Sequence, residues 1–306
     1  GSLVIYPEYD NRDSQITLLT LTNTNCVLTD PGIRVEVLYI DKEDCSETNH
    51  DFVLTPCDTV TWFTKTLNPN SERGYVYVFA KNNIGQAISF NYLIGHQFQA
   101  NGFGASDYSV NPWVFRSSLP DRQPTDLDFD DIRDLDGVEY DRPPGELLIP
   151  RFLGQDAVEN PTHRSDLVLL NLSGGQAFTT TVQLFIYNDS EDLFEDQHTF
   201  YCWDRVPLLT LSGAFDNVFL AGTMDDEDEI LGAETREAGW FRIRGLLASS
   251  GIETIVGPSI LAHLIEIASG MDVADLPFEL CPAGNGDLLP TGPFGDGPDF
   301  VPGDNE

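Results

Sequence analysis

The sequence contains one ordered series of strand-like segments twice. Short apolar or β-branched runs are separated by turn signals such as Pro-Gly and Asn-Pro-Asn. Seven segments of the first half have counterparts in the same order in the second half, among them Val35–Tyr39 with Val182–Tyr187 and Gly74–Val78 with Gly239–Ile243. This pattern predicts an all-β fold: two tandem immunoglobulin-like antiparallel β-sandwiches that arose by internal duplication.

The repeats divide the chain into four parts. We predict a first sandwich over 1–118, an acidic connector over 119–160, a second sandwich over 161–283 and a Gly/Pro/Asp-rich tail over 284–306. An insertion, Asp216–Arg236, accounts for most of the drift in spacing between paired segments. Pro258–Ala268 has apolar residues at helical spacing and predicts the only helix, although its counterpart Ile88–Phe98 is strand-like in composition. Because repeat copies should agree, one of these two assignments must fail.

Charge excludes several classes of function. Sixteen Lys and Arg stand against 50 Asp and Glu, which gives a net charge of −34. Binding to nucleic-acid phosphates or docking on anionic lipid needs a basic face. No apolar run approaches the length that a membrane span requires, so no membrane insertion is expected. A surface rich in short carboxylates and poor in lysine favours a salt-exposed extracellular setting, the alternative being a cell-surface protein in ordinary medium.

Five cysteines without a Cys-x-x-Cys motif suggest disulfides and an oxidising compartment. The start at Gly1-Ser2 is typical of a terminus left after signal removal, or of an expression remnant. We therefore expect a secreted, periplasmic or cell-surface protein. Successive loops of a sandwich alternate between its two ends, which pairs Cys26 with Cys57 and leaves Cys45 free. Cys202 occupies the Cys57 position in the second repeat, and its remaining partner is Cys281.

The acidic connector is the candidate metal site. Its candidate ligands offer the hard oxygen atoms that calcium prefers, and they are Asp128, Asp130, Asp134 and Asp136. EF-hand spacing fails from every start; counted from Asp126, position 6 is Asp131 and position 12 is Gly137. Calcium binding of another type between the sandwiches stays open, and the alternative is a solvated acidic linker. Calcium is the one cofactor that the sequence suggests.

Motifs for catalysis are missing from the sequence. There is no GxSxG, phosphate loop, dinucleotide fingerprint or HExxH, and paired carboxylates carry no information in a chain with 50 of them. Tryptophans could stack on sugars: Trp62 and Trp240 are predicted in the core, and Trp113 and Trp203, near loops, are the better candidates. We therefore predict no catalytic residues and no enzyme.

Several stretches resemble a group of secreted bacterial two-repeat β-sandwich proteins with no assigned activity. They are LTLTNTN, LTPCDT, GYVYVFA, GQAISFNYLIG and DYSVNPWVF in the first half, and FTTTVQLFIYND, CWDRVPLL and DLPFELC in the second. The similarity spans most of the chain. It implies export and a sandwich fold, and it transfers no site residues.

These observations favour a secreted or cell-surface, non-enzymatic protein of structural or adhesive type, whose partner is an unidentified surface or extracellular component. The alternative is a carbohydrate-binding or glycan-acting protein, which an exposed aromatic strip would favour. A third class, a calcium-stabilised periplasmic factor, is distinguished from both by the effect of a chelator on melting.

Overall fold

The computed structural model describes residues 1–101, 107–157, 163–173, 178–223, 237–268, 271–275, 278–282 and 286–288, with side chains up to residue 267. Antiparallel strands dominate these residues, and most of them lie in four sheets. We number the strands in chain order and the sheets I to IV in the order in which they stack. The four sheets contain two pairs with closely similar strand orders.

Sheet I has the order β5 (Thr59–Phe63), β2 (Gln15–Asn23), β7 (Leu93–Asn101), β8 (Asp107–Val110). Sheet II has the order β4 (Glu47–Leu54), β3 (Ile33–Asp41), β6 (Arg73–Lys81), β1 (Leu3–Asp10), β9 (Trp113–Phe115). Sheet III has the order β15 (Trp203–Pro207), β12 (His163–Asn171), β18 (Ile260–Ala268), β19 (Met271–Asp275). Sheet IV has the order β14 (Leu193–Tyr201), β13 (Thr179–Asn188), β16 (Ala238–Ser249), β11 (Pro144–Leu153), β20 (Phe278–Pro282), with β17 (Thr254–Val256) beside β16.

The remaining elements are short. β10 (Arg133–Leu135) pairs with β21 (Gly286–Leu288). The helices are α1 (Thr64–Leu67), α2 (Leu208–Leu211) and α3 (Asn217–Ala221), and a 3₁₀ turn spans Gly213–Phe215. Within the described part of the chain, no helix has the length and apolar character needed to cross a membrane.

Three apolar cores hold the sheets in one stack. The first core packs sheet I on sheet II, and the last packs sheet III on sheet IV. The middle core joins the two halves: Leu38 and Tyr77 of sheet II share it with Leu170 and Leu261 of sheet III. Sheet II therefore has no open face. This explains why β6 is buried from Gly74 to Lys81 without alternation.

A buried polar network also connects the halves. Arg205 in β15 donates to Glu8 in β1 at 3.0 Å and to Asp166 in β12 at 2.9 Å. Glu8 also accepts a hydrogen bond from the Tyr108 hydroxyl. Trp203, 1% exposed, donates its indole N–H to the Pro7 carbonyl at 2.8 Å. The halves thus share charge pairs as well as apolar contacts.

The disulfides correct one of the two predicted pairings. Cys26 and Cys57 are bonded, with Cα atoms 4.7 Å apart, as loop alternation leads one to expect. Cys202 bonds to Cys45, with Cα atoms 6.0 Å apart, so the predicted Cys202–Cys281 bond and the free Cys45 are wrong. The reason is tertiary: stacking sheet II on sheet III brings the loop after β3 against the start of β15, whereas the prediction treated each repeat in isolation. Cys281 lies in β20, paired with β11.

Three further predictions need correction. Ile260–Ala268 is the strand β18, not a helix, and it lies between β12 and β19. Because both faces of this strand are buried, most of its residues are apolar, and some of them fall at helical spacing by chance. The connector does not extend to residue 160, because β11 (Pro144–Leu153) is an inner strand of sheet IV. Part of the predicted tail, Gly286–Leu288, pairs with β10. Of the predicted insertion, Asp216–Thr223 is described and contains α3; its acidic run Asp225–Glu229 lies outside the described residues.

Candidate functional site

The connector begins as an ordered extended segment on the first half. The Thr125 N–H donates to the Ala87 carbonyl at 3.0 Å, and the Ser89 N–H donates to the Gln123 carbonyl at 2.8 Å. Further along, β10 is fixed by its pairing with β21. Residues 126–139 follow the first anchor and contain the second, and we call this segment the acidic turn.

Carboxylates hold the acidic turn in shape by capping its own backbone. Asp126 accepts hydrogen bonds from the N–H groups of Phe129 at 2.7 Å, Asp130 at 3.2 Å and Asp131 at 3.3 Å. Phe129 and Asp131 adopt positive φ angles of 65° and 61°. Asp131 occupies position 6 counted from Asp126, where an EF-hand has glycine, and aspartate is one of the few other residues that tolerate this conformation. The EF-hand spacing is still not met, because position 12 is Gly137.

The fold brings carboxylate oxygens together in two overlapping groups. One consists of Asp126, Asp128 and Asp130, and the other of Asp128, Asp134 and Glu139; within each, one oxygen per residue lies within 4.8 Å of the others. Three of the four predicted ligands thus belong to these groups: Asp128 is common to both, Asp130 is in the first and Asp134 is in the second.

Asp136, the fourth predicted ligand, belongs to neither group. Its carboxylate instead accepts from the N–H groups of Val138 at 2.7 Å and Glu139 at 2.9 Å. Sequence reasoning did not include Asp126 and Glu139 among the candidate ligands. The spacing of Asp126 two residues before Asp128 was a usable signal, whereas nothing in the sequence marked Glu139 as buried.

Glu139 is the buried carboxylate of the acidic turn, with an exposed fraction of 3%. Burial raises its pKa to about 7, although it accepts hydrogen bonds from the N–H groups of Leu127 and Asp134, which favour the charged form. The pKa of Asp128 is also raised, by desolvation and by the charges of Asp130 and Asp126. Carboxylates that repel one another in this way favour a cation, and calcium accepts six to eight oxygen ligands of this type.

The aromatic residues are distributed differently from the prediction. Trp62 is in the core as expected, 7% exposed, and donates to the Tyr39 hydroxyl at 2.6 Å. Trp203, a candidate for sugar stacking, is buried between the halves, and Trp113 packs at the edge of the apolar cores. Trp240, predicted in the core, lies half-buried on the outer face of sheet IV. The error has the same origin as for the cysteines, since burial here depends on which sheet covers which.

Trp240 belongs to a strip of aromatic and arginine side chains on that face. Its ring stacks on Tyr187, with centroids 4.1 Å apart and planes 7° apart. The Arg242 guanidinium lies 5.6 Å from the Tyr187 ring centre and 5.2 Å from that of Phe185, and Arg244 lies 4.9 Å from Phe185. We call these five residues the aromatic strip. Flat, partly exposed rings of this kind can contact a planar or cyclic ligand.

Comparison with known proteins assigns no family to the chain. No protein-family model matches the sequence, and no curated protein matches it.

Proposed function

We propose that this is a secreted, periplasmic or cell-surface protein of structural or adhesive type, without enzymatic activity, and that calcium binds its acidic turn. The observation that carries the proposal is the double burial of sheet II. The two halves share a core, a charge network and the Cys45–Cys202 disulfide, and these links would hold them as one rigid body. Rigidity over four layers suits a part that transmits load or holds a binding surface at a fixed distance.

Export is supported by covalent and electrostatic features. Two disulfides are stable in an oxidising compartment. The net charge of −34 keeps the surface hydrated at high ionic strength, where screening removes the self-repulsion. The resemblance to secreted bacterial sandwich proteins is consistent with both. The partner would be another surface or extracellular component.

We infer that the two halves arose by duplication of one sandwich. Strand orders β4-β3-β6-β1-β9 and β14-β13-β16-β11-β20 correspond position by position, as do β5-β2-β7-β8 and β15-β12-β18-β19. A Cβ at Gly74 would meet the Ile40 carbonyl oxygen at 1.8 Å, and a Cβ at Gly239 would meet the Tyr187 carbonyl oxygen at 2.3 Å. The two glycines occupy equivalent positions in β6 and β16, so the same close approach of two backbones occurs in each half.

Two strand pairs of this arrangement support the immunoglobulin comparison. The pairs β2–β5 and β3–β6 match strands B–E and C–F of an immunoglobulin sandwich. The strand after F would then lie beside F, but β7 lies beside β2, and β6 has β1 as its second neighbour. The inferred ancestral unit is therefore a nine-stranded sandwich with an immunoglobulin-like centre and a different placement of its outer strands.

Calcium is expected to stabilise the protein through the acidic turn. A ligand that binds only the folded state at a hundredfold excess over its Kd adds about 2.7 kcal/mol to the free energy of unfolding. We expect millimolar CaCl₂ to raise the melting temperature above that measured in NaCl of matched ionic strength. The Asp128→Asn/Asp134→Asn variant should lose this increment, because it removes two converging carboxylates.

Asp13→Asn/Asp121→Asn is the charge-matched control, since both residues are exposed and lie outside the acidic turn. It should retain the calcium increment. An equal rise in NaCl and CaCl₂, or an increment that persists in Asp128→Asn/Asp134→Asn, would show that calcium acts here only by screening.

The aromatic strip supports the second candidate function, binding of a carbohydrate. Stacked rings flanked by guanidinium groups would suit an acidic sugar, because the arginines can pair with its carboxylate or sulfate groups. None of the five residues of the aromatic strip is a carboxylate of the kind that glycoside hydrolysis uses, so a binding role is favoured over hydrolysis.

A panel of soluble neutral and acidic polysaccharides in affinity electrophoresis separates the two functions. The structural proposal expects the wild type and Trp240→Ala to migrate alike on every polysaccharide. If a polysaccharide retards the wild type, Trp240→Ala should lose this retardation under the carbohydrate proposal. Phe63→Ala, on the exposed face of sheet I, should keep it. That result would replace the structural proposal with carbohydrate binding.

A further inference from the structure

A small cavity of about 280 Å³ lies at the junction of the two halves. Its lining joins the end of β1 and the start of β6, in the first half, to β12 and β15 of the second half. Among the residues that the structure describes, Ala100 and Ile267 are the only apolar ones in this lining. The size and polarity suit a small polar group, since cavities for larger ligands begin at about 300 Å³. Neither the acidic turn nor the aromatic strip contributes to it.

Four arginines line the cavity, in a chain that has only 16 Lys and Arg. Arg12 and Arg73 come from the first half, and Arg164 and Arg205 come from the second. The hydrogen bond to Asp10 raises the pKa of Arg12, and the charge of Arg205 opposes this rise. Cations from the two halves therefore repel one another here, and an anion between them would relieve the repulsion.

Carboxylates accompany these arginines, but their oxygens already accept hydrogen bonds. The ion pairs are Arg12–Asp10 at 2.5 Å, Arg164–Asp166 at 2.6 Å, Arg205–Asp166 at 2.9 Å and Arg205–Glu8 at 3.0 Å. Both oxygens of each carboxylate accept from a guanidinium group. Besides Asp10 and Asp166, no carboxylate in the described part of the chain lines the cavity. Four guanidinium groups against three carboxylates leave one positive charge in excess at this site.

Arg73 is the arginine without a carboxylate partner. Its side chain is partly buried, and it makes no hydrogen bond or ion pair with any residue that the structure describes. The other three leave donors unused, since no described residue accepts a hydrogen bond from Nη1 of Arg12, Nη1 of Arg164 or Nη2 of Arg205. Arginine has five N–H donors and no acceptor. The lining thus has more donors than its own acceptors use.

We propose that this cavity binds the sulfate group of a sulfated sugar. A sulfate ester carries a single negative charge, which matches the one positive charge in excess. Its terminal oxygens accept charge-assisted hydrogen bonds from guanidinium groups on several sides. The sugar ring stays at the mouth, where the side chains of Arg12 and Arg164 are 43% and 47% exposed. The site needs both halves, because each half supplies two of the arginines.

The test uses glucose 6-sulfate, glucose and inorganic sulfate as probes, in calorimetric titrations of the whole protein. Calcium-free buffer keeps the outcome independent of the acidic turn, and NaCl holds the ionic strength at about 0.15 M so that screening is constant. We expect saturable binding of glucose 6-sulfate, at least about tenfold tighter than that of glucose, the difference that a charge-assisted hydrogen bond supplies. Inorganic sulfate should compete with glucose 6-sulfate, because the bound group is the same.

Arg73→Gln should weaken the binding of glucose 6-sulfate by about tenfold, since it removes the unpaired guanidinium. Its melting temperature should stay close to that of the wild type, because the substitution breaks no ion pair within the described residues. Arg116→Gln is the charge-matched control. Arg116 is exposed and follows β9, which pairs with the end of β1 opposite to Asp10, so this variant should bind like the wild type.

Three results would overturn the proposal. The first is equal binding of glucose and glucose 6-sulfate, or no saturation by about 10 mM glucose 6-sulfate. The second is a failure of inorganic sulfate to compete, which would mean that the sugar alone is recognised. The third is an equal effect of Arg73→Gln and Arg116→Gln, which would show that only the net charge of the protein matters.

Discussion

Replacing Arg205 by methionine should lower the free energy of unfolding by about 3–5 kcal/mol. The substitution keeps an unbranched side chain but leaves Glu8 without a cation and leaves Asp166 with Arg164 alone. The side chains of Glu8 and Asp166 are 0% and 1% exposed, so water cannot replace the guanidinium. Urea denaturation at neutral pH, with and without the substitution, measures the loss.

Arg244→Met is the matched control, since Arg244 is exposed and donates to Gln183 at 2.9 Å. Its cost should stay within about 0.5 kcal/mol, as for most surface substitutions. Adding Glu8→Gln to Arg205→Met should restore part of the lost stability, because it removes the carboxylate that Arg205→Met leaves without a cation. A cost of Arg205→Met no larger than that of Arg244→Met would mean that the network does not hold the halves together.

Removal of the Cys45–Cys202 disulfide should cost more than removal of Cys26–Cys57. The chain-entropy model relates the cost to the closed loop, and the separations are 157 and 31 residues. The expected losses are about 5 kcal/mol for Cys45→Ala/Cys202→Ala and about 4 kcal/mol for Cys26→Ala/Cys57→Ala. Burial widens the gap, since Cys45 is 0% and Cys202 4% exposed whereas Cys26 and Cys57 are exposed.

Parallel urea titrations of the two double variants test the order. The Cys26→Ala/Cys57→Ala variant serves as the internal control, because it also removes one cross-link and two sulfur atoms. If it loses as much stability as Cys45→Ala/Cys202→Ala, the disulfide between the halves stabilises the protein no more than the disulfide within the first half.

Local sequence patterns predicted the strands well, but they predicted poorly which sheets pack against them. The run GYVYVFA identified β6 as a buried strand, because its apolar residues show no alternation. The same signal misled at β18, where burial on both faces gave ILAHLIEIA an apparent helical period. Two prolines and a polar flank concealed β11. In each case the sequence records that a residue is buried but not which sheet buries it.

The acidic turn shows the same division between local and tertiary information. Asp128, Asp130 and Asp134 were identifiable because closely spaced carboxylates are visible in the sequence. Glu139 was not, because its raised pKa comes from burial that only the folded loop creates. A cavity beside the acidic turn, lined by Arg34, Lys81 and Arg133, could not be predicted either, because these residues come from three separate parts of the chain.

The buried position of sheet II gives equivalent residues of the two inferred copies opposite tolerances. Tyr77 and Phe79 lie in the middle core, whereas Arg242 and Arg244, at the same places in β16, lie on an open face. Arg242→Tyr would place an aromatic ring on an exposed face at little cost in stability. Tyr77→Arg would place a charge where no water can reach it. After the proposed duplication, mutations at these positions no longer had interchangeable effects. Divergence between the halves should therefore be greatest where one copy faces the middle core and the other faces solvent, and recombination between them would be selected against.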